Sequence, residues 1–261
     1  MKTALIIAFS TLAFVATAFA DDESEGELAA AAQNPLASMI SLPFQNNTTF
    51  GGMGGDYINI LNIQPVYPVR LNDDWNLITR TILPVVSSPN PTGGGQLEGL
   101  GDTTFTGWFS PVKPVKNITW GVGPVVYFPT ATRKALGANQ WGGGVSVVGV
   151  YIDGPWVAGA LVNNIWGFKN GNELNSFLFQ YFINYNLDDG WYLVSAPITT
   201  ADWNAPSSQR WIVPVGGGVG KILKIGKLPL NLNAQVFYNA ARPDSYGDVT
   251  ARVQLQFMFP K

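Results

Sequence analysis

Apolar and polar side chains alternate along much of the chain, most regularly between residues 249 and 259. The odd-numbered positions of this segment are apolar, whereas the even-numbered positions are Thr250, Arg252, Gln254, Gln256 and Met258. Side chains of a β-strand point alternately to its two faces, so the pattern predicts a strand with one apolar and one mainly polar face. About ten tilted residues of this kind also cross the hydrocarbon layer of a membrane.

Comparable patterns recur in twelve segments after residue 37. An even number of strands is typical of single-chain bacterial barrels. No stretch after the first 20 residues holds 18 consecutive apolar residues, which argues against helical spans and leaves a closed barrel to pair the backbone in lipid. We therefore predict an all-β fold, a transmembrane antiparallel up-and-down β-barrel of about 12 strands. The predicted strands are residues 38–49, 56–68, 75–86, 100–110, 118–129, 141–151, 156–168, 174–186, 191–203, 210–221, 228–240 and 248–259.

The predicted connections differ at the two ends of this barrel. Tight turns follow the even-numbered strands, and longer loops follow the odd-numbered strands. Short periplasmic turns and longer external loops are typical of barrels in the bacterial outer membrane. The sequence therefore predicts an integral outer-membrane protein, in contact with outer-membrane lipid, whose two termini lie on the periplasmic side.

Tryptophan supports the same assignment, because all nine tryptophans lie within about two residues of a predicted strand end. Aromatic residues at the two membrane interfaces form such girdles. The alternative, an exported soluble β-sandwich, would pack tryptophan in a protein core and place it at strand centres. The predicted girdle consists of Trp75, Trp108, Trp120, Trp141, Trp156, Trp166, Trp191, Trp203 and Trp211.

Five prolines lie inside predicted strands, although proline lacks the N–H group that a strand ladder requires. A closed barrel has no edge strand, where a proline would not remove a hydrogen bond from the ladder. We expect a bulge, a strand end or an interior water at each of these positions. The five residues are Pro65, Pro84, Pro124, Pro197 and Pro214.

Composition agrees with a surface that is covered by lipid. Charged residues make up 12% of the chain, against about 25% in ordinary soluble domains, while the hydrophobic fraction is ordinary. The chain contains no cysteine and no histidine. Disulfides therefore cannot stabilise the fold, and the Ser-His or Asp-His arrangements that transfer protons in many hydrolases cannot form. We predict no enzymatic activity, no cofactor, no metal site and, without a basic tract, no nucleic-acid partner.

The first residues indicate three regions. Residues 1–20 combine Lys2, an apolar run and a small-x-small ending, which is typical of a secretory signal peptide cleaved before Asp21. The alternative, an anchoring helix, requires about 20 apolar residues. Residues 21–37 predict a flexible or short helical segment that Pro35 ends, and residues 38–261 form the barrel. Because the Ala-rich part of residues 21–37 has no other apolar partner, we expect residues 28–44 to enter or cap the lumen as a plug.

The faces that point away from lipid are rich in amides. Arg80 and Arg252 lie among them, and an arginine inside a barrel must be paired or hydrated. Either the two arginines form a selectivity element, with Asp102 as the opposing charge, or they are structural partners of lumen carboxylates. The remaining candidates for the lumen are Asn62, Gln64, Asn76, Gln254 and Gln256.

Several motifs resemble a family of bacterial outer-membrane proteins known under the heading of the meta-pathway of phenol degradation. They include SLPFQNN (41–47), LNIQPVYPVRLNDDWNLITRTILPV (61–85), GLGDTTF (99–105), WGVGPVVYFPTAT (120–132), DGPWVAGALVNNIW (153–166), DGWYLVSAPITTADW (189–203), RWIVPVGGGVGK (210–221) and YNAARP (238–243). The resemblance implies a barrel related to the fatty-acid transporter type, which moves small or hydrophobic compounds across the outer membrane.

The sequence therefore favours an outer-membrane channel or transporter for small solutes, with hydrophobic or aromatic compounds among the candidates. The alternative is a closed structural or binding barrel, without transport, whose external loops form an adhesion surface. Neither the oligomeric state nor the solute follows from the sequence.

Overall fold

The computed structural model describes residues 25–52, 56–91, 93–169, 174–226 and 228–259. The predicted signal peptide, residues 1–20, lies outside these ranges. Among the described residues, no helix is long and apolar enough to cross a membrane.

One helix and one antiparallel sheet of fifteen strands account for the regular structure of the described residues. The helix is α1 (Glu25–Gln33), and short 3₁₀ turns lie at Lys134–Leu136, Asp188–Gly190 and Ser207–Gln209. The strands are β1 (Ile40–Phe50), β2 (Tyr57–Ile63), β3 (Val66–Arg70), β4 (Trp75–Pro89), β5 (Gln96–Leu100), β6 (Thr103–Pro111), β7 (Ile118–Phe128), β8 (Gly142–Asp153), β9 (Trp156–Gly167), β10 (Asn175–Asn186), β11 (Trp191–Ser195), β12 (Ile198–Asp202), β13 (Trp211–Ile225), β14 (Leu228–Ala241) and β15 (Val249–Phe259).

The sheet closes on itself between its first and last strands. Strand β1 pairs with β15 along its whole length, from Ile40 opposite Phe259 to Phe50 opposite Val249, and with β2 on its other side. In three places, two consecutive short strands pair one after the other with the same neighbouring strand. These pairs are β2 and β3 along β4, β5 and β6 along β4, and β11 and β12 along β10. Counted as one strand each, these pairs give a closed antiparallel barrel of twelve strands, which confirms the predicted fold.

Prolines mark several irregularities in the wall. Pro65 lies between β2 and β3, and Pro197 lies between β11 and β12. Pro214 lies at a register shift, where β14 holds one residue more than β13. Proline has no N–H group to donate to the ladder. A strand break or a bulge at each position therefore avoids leaving a carbonyl group of the neighbouring strand without a donor.

The remaining two of the five prolines named above, Pro84 and Pro124, lie opposite gaps in a neighbouring strand. The carbonyl of Pro84 accepts a hydrogen bond from Gly101 N–H at 2.9 Å, where β5 ends and β6 has not begun. Pro124 lies in β7 where the ladder from β6 is interrupted at Gly107 and Trp108. All five prolines therefore lie at, or opposite, an interruption of the ladder.

The two ends of the barrel are distinct. The start of β1 and the end of β15 define the terminal end, where the connections that follow β3, β6, β8, β10 and β13 lie. At the opposite, loop end lie the connections that follow β1, β4, β7, β9, β12 and β14. The longest connection, residues 129–141, lies at the loop end.

The outer surface is apolar along the wall. In β14, Leu232 and Val236 are exposed, while Asn231, Asn233 and Gln235 on the opposite face are buried. An exposed apolar belt around a closed barrel is stable in lipid and would be unfavourable in water. The interior of the barrel is therefore partly polar, and its exterior is suited to contact with lipid acyl chains.

Eight of the nine tryptophans lie on the outer surface in two groups. The rings of Trp75 and Trp120 meet edge to face at the terminal end, with centroids 5.9 Å apart, and those of Trp203 and Trp211 do so at the loop end, 5.4 Å apart. The terminal-end group is Trp75, Trp120, Trp156 and Trp191, and the loop-end group is Trp141, Trp166, Trp203 and Trp211.

Candidate functional site: the barrel lumen

A cavity of about 280 Å³ lies inside the barrel. Its walls come from inward-facing positions of β1 to β4, β9 to β12, β14 and β15, and residues that precede β1 close one side. Two arginines and a large set of amides line it together with aliphatic and aromatic side chains. The cavity therefore combines charged, polar and apolar surfaces.

The N-terminal segment, residues 25–39, fills the terminal end of the lumen. Leu28 and Ala29 of α1 are buried against a cluster that includes Tyr192 and Ile222. Gln33 Nε2 donates a hydrogen bond to Asn186 Oδ1 at 2.8 Å. Alanine and leucine favour a helix and expose little polar surface, so this short helix packs well inside a barrel.

The segment continues past α1 into a second apolar cluster. Leu36 is buried against Ile78 and Trp108 on the barrel wall. A Cβ atom at Gly121 would lie 3.0 Å from Leu36 Cδ2, so the glycine leaves room for this side chain. Two separate apolar contacts, through Leu28 and Leu36, therefore hold the segment in the lumen.

One side of the cavity is a surface that we call the amide wall. It is formed by alternating residues of β1, β14 and β15, namely Gln45, Asn231, Asn233, Gln235, Gln254 and Gln256. Several of these side chains bond to each other, with Gln45 Nε2 donating to Gln254 Oε1 at 2.8 Å and Asn231 Nδ2 donating to Gln256 Oε1 at 3.1 Å. Amides both donate and accept, so the wall is polar without being charged.

On the opposite side, Leu161, Leu178 and Phe182 of β9 and β10 form an apolar surface that we call the apolar wall, and the amides of Gln180 and Asn184 line the cavity beside it. Gly159 of β9 lies directly opposite Phe182. A Cβ atom at Gly159 would overlap the Phe182 ring, so glycine allows the ring to lie against the wall. The lumen is thus amphipathic across its width.

Arg252 is anchored within the wall. Only 4% of the residue is exposed. Its Nε donates to Asn47 Oδ1 at 2.8 Å, and its Nη1 donates to the carbonyl of Ala196 at 2.6 Å, where β11 ends. Its guanidinium also lies over the Phe237 ring, 4.9 Å from the centroid. These contacts give Arg252 a structural role at the break between β11 and β12.

Arg80 lines the same cavity with fewer partners. Its Cζ lies 5.0 Å from the centroid of the Trp108 ring, and its buried Nε has no hydrogen-bond partner among the described residues. The Trp108 indole N–H donates to Ser146 Oγ at 3.0 Å and so fixes the ring beneath the guanidinium. A cation over an aromatic face is stabilised by the ring quadrupole, but its N–H donors still require an acceptor.

The position of Trp108 corrects one prediction from the sequence. Its closeness to a strand end predicts a place in the aromatic girdle, but its side chain is fully buried in the lumen. In β6, Trp108 points to the same inward face as Thr106 and Ser110, whereas Phe109 points outward. The distance of a residue from the strand end gives its depth along the barrel, whereas the alternation of side chains along the strand gives the face to which it points. The girdle prediction used only the distance from the strand end.

Asp102 corrects a second prediction. Its carboxylate accepts hydrogen bonds from the backbone N–H groups of Ala131 at 2.8 Å and Ala138 at 2.6 Å. It therefore orders the loop 129–141 and does not oppose the arginines. Within the described ranges, the ion pairs are Arg70 with Asp73 and Arg242 with Asp248, outside the cavity. The expectation that Arg80 and Arg252 pair with lumen carboxylates is wrong, because the break at Gly101 turns Asp102 toward the loop.

The remaining candidates lie inside the barrel at two depths. Asn62, Gln64, Gln254 and Gln256 line the cavity. Asn76 lies nearer the terminal end, where its Nδ2 donates to Ser38 Oγ at 3.2 Å. Sequence reasoning missed Tyr192 and Phe182 as lumen residues, although their even-numbered parity within β11 and β10 was a usable signal.

Comparisons with known proteins give a fold but no family. No protein-family model and no curated protein matches the chain. The chain is similar in structure to an outer membrane channel from Pseudomonas putida F1, with 18% identity over 85% of this chain and 94% of that chain, and a TM-score of 0.62. This likeness shows that the fold is that of an integral outer-membrane β-barrel.

Two further solved structures are more distant. Outer membrane phospholipase A from Escherichia coli is 12% identical over 86% of this chain and 97% of that chain, with a TM-score of 0.46. A FadL homologue from Pseudomonas aeruginosa is 9% identical over 85% and 89% of the two chains, with a TM-score of 0.43. The resemblance to the phenol meta-pathway family stays a prediction.

Proposed function

We propose that this protein is an outer-membrane channel for small solutes. The observation that carries the proposal is a cavity of about 280 Å³, lined by amides and two arginines, inside a closed barrel. Burying polar and charged side chains is costly unless they form hydrogen bonds with protein groups, water or a solute, and the Nε of Arg80 has no such protein partner among the described residues. The similarity to the Pseudomonas putida channel supports the same function.

The two tryptophan groups support an orientation across the membrane. Tryptophan prefers the headgroup level of a bilayer, so the terminal-end and loop-end groups would lie at the two interfaces of the outer membrane. The terminal end, with its shorter turns, would face the periplasm. Solutes would then enter from the loop end and meet the cavity before they reach the N-terminal segment.

The N-terminal segment serves as the plug of this channel in our proposal. It occupies the terminal end of the lumen through Leu28 and Leu36, both of which are buried. A solute that has reached the cavity would need this segment to move before entering the periplasm. The resting barrel would therefore conduct poorly, and conduction would depend on release of the segment.

The test compares the mature protein with a variant that lacks residues 21–37, in planar bilayers and in liposomes that report solute uptake. We expect low conductance for the mature protein and a clear increase for the shortened variant. Equal conductance of the two proteins would overturn the plug. A barrel that is closed to every solute in both forms would overturn transport.

A filled terminal end also suits a second function, a closed barrel that binds a partner through its external loops. In that case, shortening the loop 129–141 would change partner binding and leave solute flux untouched. For a channel we expect flux to respond to the cavity residues, whatever the loop does.

A further inference from the structure

The lumen carries positive charge that no described residue around the cavity neutralises. The described residues that line the cavity include Arg80 and Arg252 but no aspartate, glutamate or lysine. Asp102, the buried carboxylate of the adjoining wall, is occupied by the backbone of the loop 129–141. A cationic cavity inside a low-dielectric barrel attracts anions and excludes cations.

The two arginines differ in what they can offer a ligand. Arg252 already donates to Asn47 through Nε and to Ala196 through Nη1, so both of these nitrogens support the wall. Arg80 contacts the Trp108 ring and has a buried Nε that lacks an acceptor among the described residues. A planar guanidinium with free donors is suited to a carboxylate, because two parallel N–H···O bonds can form.

Apolar surface surrounds Arg80 on several sides. Val66 lies directly across from Arg80 in the pairing of β3 with β4, and Ile82 follows on the same face of β4. The Trp108 ring under the guanidinium belongs to the same packed cluster as Leu161 and Phe182 of the apolar wall. A ligand held at Arg80 would therefore place its remaining atoms against aliphatic and aromatic side chains.

We propose that Arg80 and the apolar wall form a binding site for small carboxylates with an apolar body, such as short aliphatic or single-ring acids. This proposal rests on the channel function above and names its solute class. The size fits, because the cavity of about 280 Å³ is nearly twice the roughly 150 Å³ of an apolar cavity that accepts a benzene ring. Inorganic anions would gain the charge interaction but not the apolar contact.

The test measures binding to the full mature protein in detergent by titration calorimetry. The probes are hexanoate and benzoate, with hexanol and benzyl alcohol as uncharged counterparts and chloride as an anion without an apolar body. We expect both carboxylates to bind at least about tenfold more tightly than the matching alcohols, since a hydrogen bond to a charged group is the stronger kind. Equal affinity for acid and alcohol would overturn the proposal, and so would chloride binding as tightly as the acids.

Two variants assign the effect to Arg80. Arg80→Gln should lower carboxylate affinity by about tenfold or more and leave alcohol affinity unchanged, while Arg80→Lys should retain part of the preference. The matched control is Arg70→Gln, which removes an exposed arginine at the end of β3. Folding of Arg80→Gln is expected, because the change removes a charge that has no ionic partner among the described residues; its heat-modifiable migration on gels should match that of the parent. Unchanged carboxylate affinity in folded Arg80→Gln would overturn the assignment.

Failure of this site is distinguishable from failure of the channel. If calorimetry shows no preference for acids over alcohols but the shortened barrel passes solutes, the channel stands and the carboxylate site is wrong. If calorimetry shows the acid preference but liposomes show no flux of any solute, the site stands as a binding site and transport is wrong.

Discussion

The substitution Leu28→Ala tests the docking of the N-terminal segment in the barrel. Leu28 is 2% exposed and packs in a cluster with Tyr192, Val194 and Ile222. Alanine is the strongest helix former, so the change removes packing without weakening α1 as a helix. Leucine-to-alanine changes at buried sites cost about 2–5 kcal/mol.

The expected effect is a shift between docked and released states of the segment. A loss of about 2 kcal/mol raises the ratio of released to docked molecules by a factor of about 30. A glutamate-specific protease reports this ratio, because Glu27 lies in α1 beside Leu28. When release is fast relative to cleavage, the cleavage rate follows the released population.

We therefore expect Glu27 to be cleaved about thirtyfold faster in Leu28→Ala than in the parent. The control is Leu71→Ala, since Leu71 is exposed in the turn after β3 and lies outside both apolar clusters that hold the segment. Cleavage at equal rates in the parent and in Leu28→Ala would show that Leu28 does not hold the segment, and would refute the docking argument.

Further predictions concern the wall and the loop end. Gly123→Ala should prevent barrel assembly, because its Cβ would overlap a backbone carbonyl of β6, whereas Gly149→Ala in the next strand meets nothing within 4 Å and should assemble normally. Heat-modifiable migration on gels compares the two variants, and normal assembly of Gly123→Ala would contradict the close approach of the two backbones. Asp102→Ala should weaken the loop 129–141 by about 1.5–3 kcal/mol for each of the two charge-assisted hydrogen bonds that it removes. Trypsin cleavage at Arg133 measures this loosening, and an unchanged cleavage rate would show that the carboxylate does not order the loop.

The wall could be predicted from sequence because two physical rules act on every strand. Side chains alternate, and lipid selects apolar residues at each outward position, so Val253 and Arg252 of β15 fall on opposite faces as expected. The prolines also indicated where the ladder is interrupted, since the missing N–H must be accommodated locally.

The lumen was less predictable because it depends on contacts between distant strands. Alternation along the strand predicts that Asp102 shares the inward side of the wall with Arg80, yet the gap at Gly101 brings the carboxylate to the loop 129–141. Arg80 of β4 contacts Trp108 of β6, so predicting this contact would have required the pairing register of the two strands. Periodicity assigns faces, whereas such contacts require the three-dimensional arrangement of the strands.

Cysteine accessibility tests the central claim most directly, because the parent chain contains no cysteine. Gln254 lines the cavity, while its neighbour Val253 is 52% exposed on the outer surface. In lipid vesicles, Gln254→Cys should react with a charged, membrane-impermeant thiosulfonate and lose solute flux in the variant without residues 21–37, whereas Val253→Cys should stay unreactive in the acyl chains. Reaction of Val253→Cys with an inert Gln254→Cys would contradict a barrel whose interior holds the solute path and whose exterior faces lipid.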